Sequence, residues 1–162
     1  MRRICFCVFM AFCLCLSACG GASENFSEVF KGPFEAELAG TVCGIAFEAK
    51  MAVFAQSDTG VVPVTLTFYA PQELSGTTLS RDGEGKVTMS YDGIAIEDVG
   101  GVGLVLLSLF PWGQEVRRAA LNETGNTMVL FSHAEVEFSK NGVPLFIKTE
   151  DAEATIVSWQ KQ

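Results

Sequence analysis

Histidine is nearly missing from this 162-residue chain, where His133 is the only one. A zinc site built on several imidazoles is thereby excluded, and a Ser–His–Asp triad would have to form around that single ring. No Gly-x-Ser-x-Gly elbow occurs to present a nucleophile. Positive charge is scarce as well. Lys and Arg number 11 against 19 Asp and Glu, a net charge of −8. Such a surface repels phosphate backbones and anionic headgroups, so nucleic acid is not an expected partner. Phosphate-cradling motifs are also lacking. Gly83-Glu-Gly85-Lys86-Val87 has neither the spacing nor the hydroxyl of a P-loop, and Gly101-Val-Gly103 lacks the third glycine of a dinucleotide fingerprint. Asp82, Glu84 and Asp92 sit in Asp-Gly contexts that read as turns rather than as a calcium loop. The sequence calls for no cofactor, no metal and no enzyme chemistry.

Cysteine is plentiful by count but not by position. Of the 6 cysteines, Cys5, Cys7, Cys13, Cys15 and Cys19 fall in the first 19 residues and only Cys43 lies beyond. The same region opens Met1-Arg2-Arg3, runs apolar from Ile4 to Leu16 and ends Leu16-Ser17-Ala18-Cys19. A basic start, a short greasy stretch and small residues are the plan of a secretory signal. The stretch is too short for a membrane span of about 20 residues. Leu-Ser-Ala-Cys resembles the bacterial lipobox, which implies cleavage before Cys19 and lipidation of its thiol. Residues 1–18 are then a lipoprotein signal peptide, 19–23 the lipidated cysteine and a short tether, and 24–162 one β-rich domain. The protein is expected on the extracytoplasmic face of a bacterial membrane, held by the lipid on Cys19. Loss of Arg2 and Arg3 leaves 9 basic against 19 acidic residues, so the acyl chains and not a basic patch must hold the membrane. With one thiol left, no intramolecular disulfide is possible. Cys43 reads as a small buried hydrophobe.

Past the tether, Ser23 to Pro33 reads as a short helix, with Phe26, Val29 and Phe30 on one face and Gly-Pro at its end. The period then changes to two. Phe34-Glu-Ala-Glu-Leu38 and Ile45 to Phe54 alternate apolar with polar residues, and Thr41 to Gly44 joins them as a hairpin. Val61 to Tyr69 is a third strand, with Pro63 marking an edge or an irregular start. Strands follow near 77–81, 86–91 and 94–98, punctuated by Asp82-Gly83 and Asp92-Gly93. Gly100 to Phe110 is almost wholly apolar and is stopped by Pro111; its composition fits a helix or a fully buried strand, and a helix is favoured because the segment interrupts a run of hairpins. Asn122 to Asn126 is a turn. Thr127–Phe138, Val143–Glu150 and Ala152–Trp159 close the chain as strands. Nine or ten strands with short turns make an antiparallel meander. Paired acids at Glu35/Glu37 and Glu135/Glu137 share one strand face, the solvated one, and His133 reads as an ordinary strand residue.

The fold class is therefore α+β, mainly antiparallel β: a curled meander sheet, or half-barrel, with a short N-terminal helix and one apolar helix against its concave face. The layout resembles the LolA/LppX-like lipoprotein carriers. The resemblance rests on the amphipathic N-terminal helix, Leu66-Thr-Phe-Tyr-Ala-Pro71-Gln-Glu-Leu-Ser-Gly76, the Tyr91-Asp-Gly-Ile94 turn, the apolar helix, and Glu135-Val-Glu-Phe-Ser-Lys-Asn-Gly-Val-Pro144-Leu-Phe-Ile-Lys. It implies an unclosed β-barrel whose apolar concavity receives acyl chains, and it brings no catalytic residues.

Two functions follow. One is a lipid-anchored carrier of a lipid or lipophilic ligand, with the helix at 101–110 as its lid. Its cavity would be lined by Phe47, Met51, Leu66, Phe68, Met89, Leu104, Leu107, Phe131 and Phe138. The other is a lipoprotein with a packed β core that binds or scaffolds a protein at the cell surface. No residue pattern names that protein.

Overall fold

The computed structural model describes residues 23–162. The proposed signal peptide and Cys19 lie outside the described residues. Helix α1 spans Ser23–Val29, and the chain then enters β1 (Phe34–Val42), β2 (Ile45–Val53) and β3 (Val64–Ala70). A 3-10 turn at Gln72–Leu74 leads to β4 (Thr78–Arg81), β5 (Val87–Tyr91) and β6 (Ile94–Glu97). Helix α2 (Val102–Leu107) follows. The chain ends in β7 (Arg118–Leu121), β8 (Thr127–Leu130), β9 (Glu135–Phe138), β10 (Pro144–Lys148) and β11 (Ala152–Lys161).

All 11 strands form one antiparallel sheet in the order β6-β5-β4-β3-β2-β1-β11-β10-β9-β8-β7. The first and last strands pair at its centre, and each half fans outward as a meander. The two edges, β6 and β7, are consecutive in sequence. The chain between them, which includes α2, must therefore travel from one edge to the other. Its apolar character is explained by that path. Leu106, Leu107, Leu109 and Phe110 are buried in the same core as the inner face of the sheet.

Turn chemistry sets the register. Cys43-Gly44 and Asp92-Gly93 are two-residue turns with positive φ at both positions (48° and 79°, 47° and 79°). They pair Val42 with Ile45 and Tyr91 with Ile94, the geometry that matches strand twist. One row of paired residues then crosses the inner face: Trp159, Ala36, Met51, Leu66, Leu79, Met89 and Ile96. A parallel row holds Phe34, Val53, Val64, Arg81 and Val87. Directly paired residues share a face, and the two-residue period puts both rows on the inner one. Near the centre, Gly40 lies so close to β11 that an added Cβ would stand 2.0 Å from the Glu153 carbonyl oxygen.

The C-terminal half closes around rings. Phe30 lies within 5.4 to 6.4 Å, centroid to centroid, of Phe34, Phe110, Phe131, Phe138 and Trp159. Phe26, one helical turn earlier, sits 4.7 Å from Phe138. Full burial of a phenylalanine is worth about 1.5–3 kcal/mol, so α1 is fastened chiefly by this cluster.

Several expectations change. The sheet is open and not strongly curled, which replaces the half-barrel. The reason is that the chain covers its own apolar side: a sheet whose apolar face is covered by α1, α2 and the 108–112 segment does not have to close on itself to bury it. The strand count rises to 11 because 115–121 contains β7 and because 127–138 is two strands. The break at Phe131 to Ala134 is a tight turn, with the Phe131 amide donating to the Ala134 carbonyl at 2.8 Å. His133 is accordingly an exposed turn residue, not a strand residue. The apolar helix is shorter than 101–110, since the Ser108 amide already caps it by donating to Leu104 and Val105. Cys43 is exposed rather than buried, because its turn projects past the hairpin end. Pro63 gives the irregular start, one residue before β3, and β3 is not an edge.

Candidate functional site

The core contains most of the residues expected to line a concavity. Phe47, Met51, Leu66, Leu107, Phe131 and Phe138 are all buried and pack on neighbours in the core cluster. Leu104, on the outer side of α2, is 45% exposed. Two of the nine stand at open space: Phe68 and Met89 line a cleft of about 250 Å³ between α2 and strands β3–β5.

This cleft is built from the sequence in a simple way. Phe68, Leu79 and Met89 come from adjacent strands of the inner face, Leu74 and Thr77 from the turn after β3, and Val99, Val102, Gly103 and Leu106 from α2 and its approach. Gly103 sets the height of the helix. A Cβ there would stand 3.1 and 3.2 Å from the two Leu79 methyls, so any larger residue would require Leu79 to give by a few tenths of an ångström. Gly101, at φ 70° and ψ −133°, turns the chain into α2, and no side chain caps the helix start. The apolar surface continues outward from the cleft. Tyr91, Ile94 and Ile96 share the face of Met89 through pairing and the two-residue strand period, and they are 55%, 69% and 54% exposed. The central row thus passes from fully buried at Leu66 to open at Ile96. Neither the composition nor the period reveals this, because exposure here depends on where α2 stops covering the sheet.

A second, larger cavity of about 480 Å³ lies at the other end of β4. Phe54, Val61, Val62 and Trp112 provide apolar wall, with Lys31, Gln56 and Arg81 as the polar members. Arg81 donates from Nε and Nη2 to the Val62 carbonyl, at 3.2 and 3.1 Å. Its guanidinium carbon lies 5.3 Å from the centre of the Trp112 ring, a cation–π distance. Burial pulls the guanidinium below its ordinary pKa, though it stays charged at neutral pH. Trp112 Nε1 is buried without a hydrogen-bond partner among the described residues. Sequence reasoning misses Arg81, although a signal is there: an arginine at an inward position of an alternating strand, two residues after Leu79.

Polar side chains elsewhere brace loops. Gln114 bonds the ring of His133 and accepts from the Ser132 amide at 3.0 Å, while His133 Nε2 lies 3.2 Å from the Ser108 carbonyl. This ties the end of α2 to the β8–β9 turn. Glu137 accepts from Asn122 and Asn126 at 2.9 and 2.8 Å and holds the β7–β8 turn. Glu35 pairs with Lys50 at 2.8 Å. Among the described residues, no three His, Cys, Asp or Glu side chains are grouped to hold a metal ion. No described helix is long and apolar enough to cross a membrane.

No family model matches the chain, and no curated protein matches it significantly in sequence. Solved structures do resemble it. An uncharacterized conserved protein from Thermus thermophilus matches over 86% of this chain and 84% of its own, at 13% identity and a TM-score of 0.52. A LolA superfamily protein from Nitrosomonas europaea matches over 86% and 93%, at 8% identity and a TM-score of 0.48. MucB matches over 84% of this chain and 56% of its own, at 13% identity and a TM-score of 0.49. At such identities the likeness is one of fold alone. The described residues form a mainly antiparallel 11-stranded sheet with few short helices, a fold shared at a distance with the Thermus thermophilus protein.

Proposed function

We propose that this protein is a non-enzymatic binder of a lipophilic ligand, held by the lipid on Cys19 at the extracytoplasmic face of a bacterial membrane. One observation carries the reading: the apolar cleft under α2 is bordered by Met89, whose cross-strand partner Ile96 belongs with Tyr91 and Ile94 to the exposed apolar end of the same sheet face. At about 250 Å³ the enclosed part falls just below the usual range of roughly 300–1,000 Å³ for ligand pockets. It suits one alkyl chain, with the remainder lying along the open β5–β6 face. Leu79, Met89 and Leu106 would contact the enclosed part of the chain, and α2 would serve as its cover.

The test is native mass spectrometry of the chain from Gly20 onward, which retains every described element, followed by organic extraction. Copurified or added lipid should raise the mass, and a bulky Met89→Trp substitution should abolish the adduct. A clean apo mass with no uptake of an alkyl probe refutes the reading. A second reading, a protein-binding module, has its own support in the unpaired outer edge of β6, which offers backbone groups beside Ile94 and Ile96. In that case binding would follow substitutions at the edge and ignore Met89→Trp.

A further inference from the structure

Arg81 is out of keeping with its surroundings. It occupies a row of the inner face otherwise made of Phe34, Val53, Val64 and Val87, all buried. A guanidinium offers five N–H groups. Two donate to the Val62 carbonyl, and no carboxylate pairs with it among the described residues. Among the described residues, the cavity that it faces has no Asp or Glu in its lining, in a chain whose net charge is −8. Lys31 already pairs with Glu28, 2.5 Å away, and Gln56 is engaged with the Gly60 carbonyl at 2.7 Å. The cavity therefore holds a guanidinium with spare donors and no carboxylate partner, and apolar wall from Phe54, Val61, Val62 and Trp112.

Partly desolvating a charge is costly unless an opposite charge arrives to pair with it. A single guanidinium fork fits the two oxygens of a carboxylate, and one cation balances one negative charge. The walls call for an apolar body behind that group. We propose that this pocket is a second binding site, separate from the cleft under α2, that takes the carboxylate of a small amphiphile on Arg81 with its apolar body against Trp112 and Phe54. In this arrangement the Val62 carbonyl holds one edge of the guanidinium in place, and the Trp112 ring lies at cation–π distance from it.

The chain has two tryptophans, so a ¹⁵N-labelled chain from Gly20 onward gives two indole N–H signals, and Trp112→Phe identifies which is which. Octanoate, octanol and inorganic phosphate are titrated separately. The proposal expects a saturable shift of the Trp112 signal with octanoate only, and Arg81→Gln should weaken octanoate by about tenfold or more, the size of losing a charge-assisted hydrogen bond. An equal response to octanol would mean that only apolar contact matters, and an equal response to phosphate that any anion serves. Either result overturns the proposal, as does a silent Trp112 signal. Should Arg81→Gln fail to fold, the wild-type preference among the three probes still decides. Met89→Trp should leave the octanoate response intact, which keeps failure here distinct from failure of the cleft under α2.

Discussion

Leu79→Ala tests the cleft under α2 most directly. Leu79 is 3% exposed, pairs with Leu66 and Met89 across the sheet, and carries the two methyls on which Gly103 rests. Truncation removes that seat and enlarges a space that already exists, so the surroundings have little means of collapsing around the loss. Leucine-to-alanine changes in cores cost about 2–5 kcal/mol, and we expect about 3 here. For a domain of this size, about 2–4 °C of Tm accompanies each kcal/mol, which gives a fall of roughly 6–12 °C by circular dichroism or calorimetry. The variant should then be rescued by ligand. An alcohol such as decanol, present at about 100 times its Kd, adds about 2.7 kcal/mol and should recover most of the lost Tm. Wild type, with less room, should gain less. A loss under about 1 kcal/mol would mean that the cleft readily closes. Equal rescue of both proteins would mean that the alcohol binds elsewhere. Either result would refute the reasoning.

Gly40→Ala places a methyl 2.0 Å from the Glu153 carbonyl oxygen and 2.7 Å from the Ala154 Cα; backbone cannot step aside, so β1 and β11 must part, and chemical denaturation should show a loss above the usual range of about 1–3 kcal/mol for overpacking. Phe30→Ala removes the ring shared by five others; a loss of about 3–5 kcal/mol should come with faster hydrogen exchange in α1, and unchanged exchange there would show that the helix is held by something else. The Lys50 amine is raised above 10.5, first by its hydrogen bond to Glu35 and then by that carboxylate's charge. Because the folded value is the higher one, the pairing is fully present below the unfolded value and is lost as pH climbs through the folded one. Glu35→Gln should return the Lys50 titration, followed by NMR, toward its ordinary value.

Much of the fold is legible in the residues one by one. Alternation along Phe34–Leu38 and Ile45–Val53 marks inward and outward positions, and the burial of Phe34, Ala36, Leu38, Phe47, Ala49, Met51 and Val53 follows it. The Asp92-Gly93 turn can be read directly, since positive φ at both residues restricts the choice of amino acid. The break at Phe131 to Ala134 cannot. Its apolar residues keep the composition of a strand while the backbone turns, and the partners that hold the turn, Gln114 and Ser108, lie 18 or more residues away in sequence.

The sequence by itself determined the class of the protein: a two-residue apolar period broken by frequent glycine turns makes an antiparallel sheet, and the scarcity of histidine and basic charge narrows the chemistry that sheet can carry. Those signals are local, carried by φ, side-chain alternation and charge count. Only the tertiary structure decided which apolar residues face open space. Met51, Leu66, Leu79, Met89 and Ile96 read alike in sequence, yet they run from sealed core to exposed edge. What separates them is where the segment joining the two sheet edges lies across the inner face, a long-range packing outcome that no local pattern encodes.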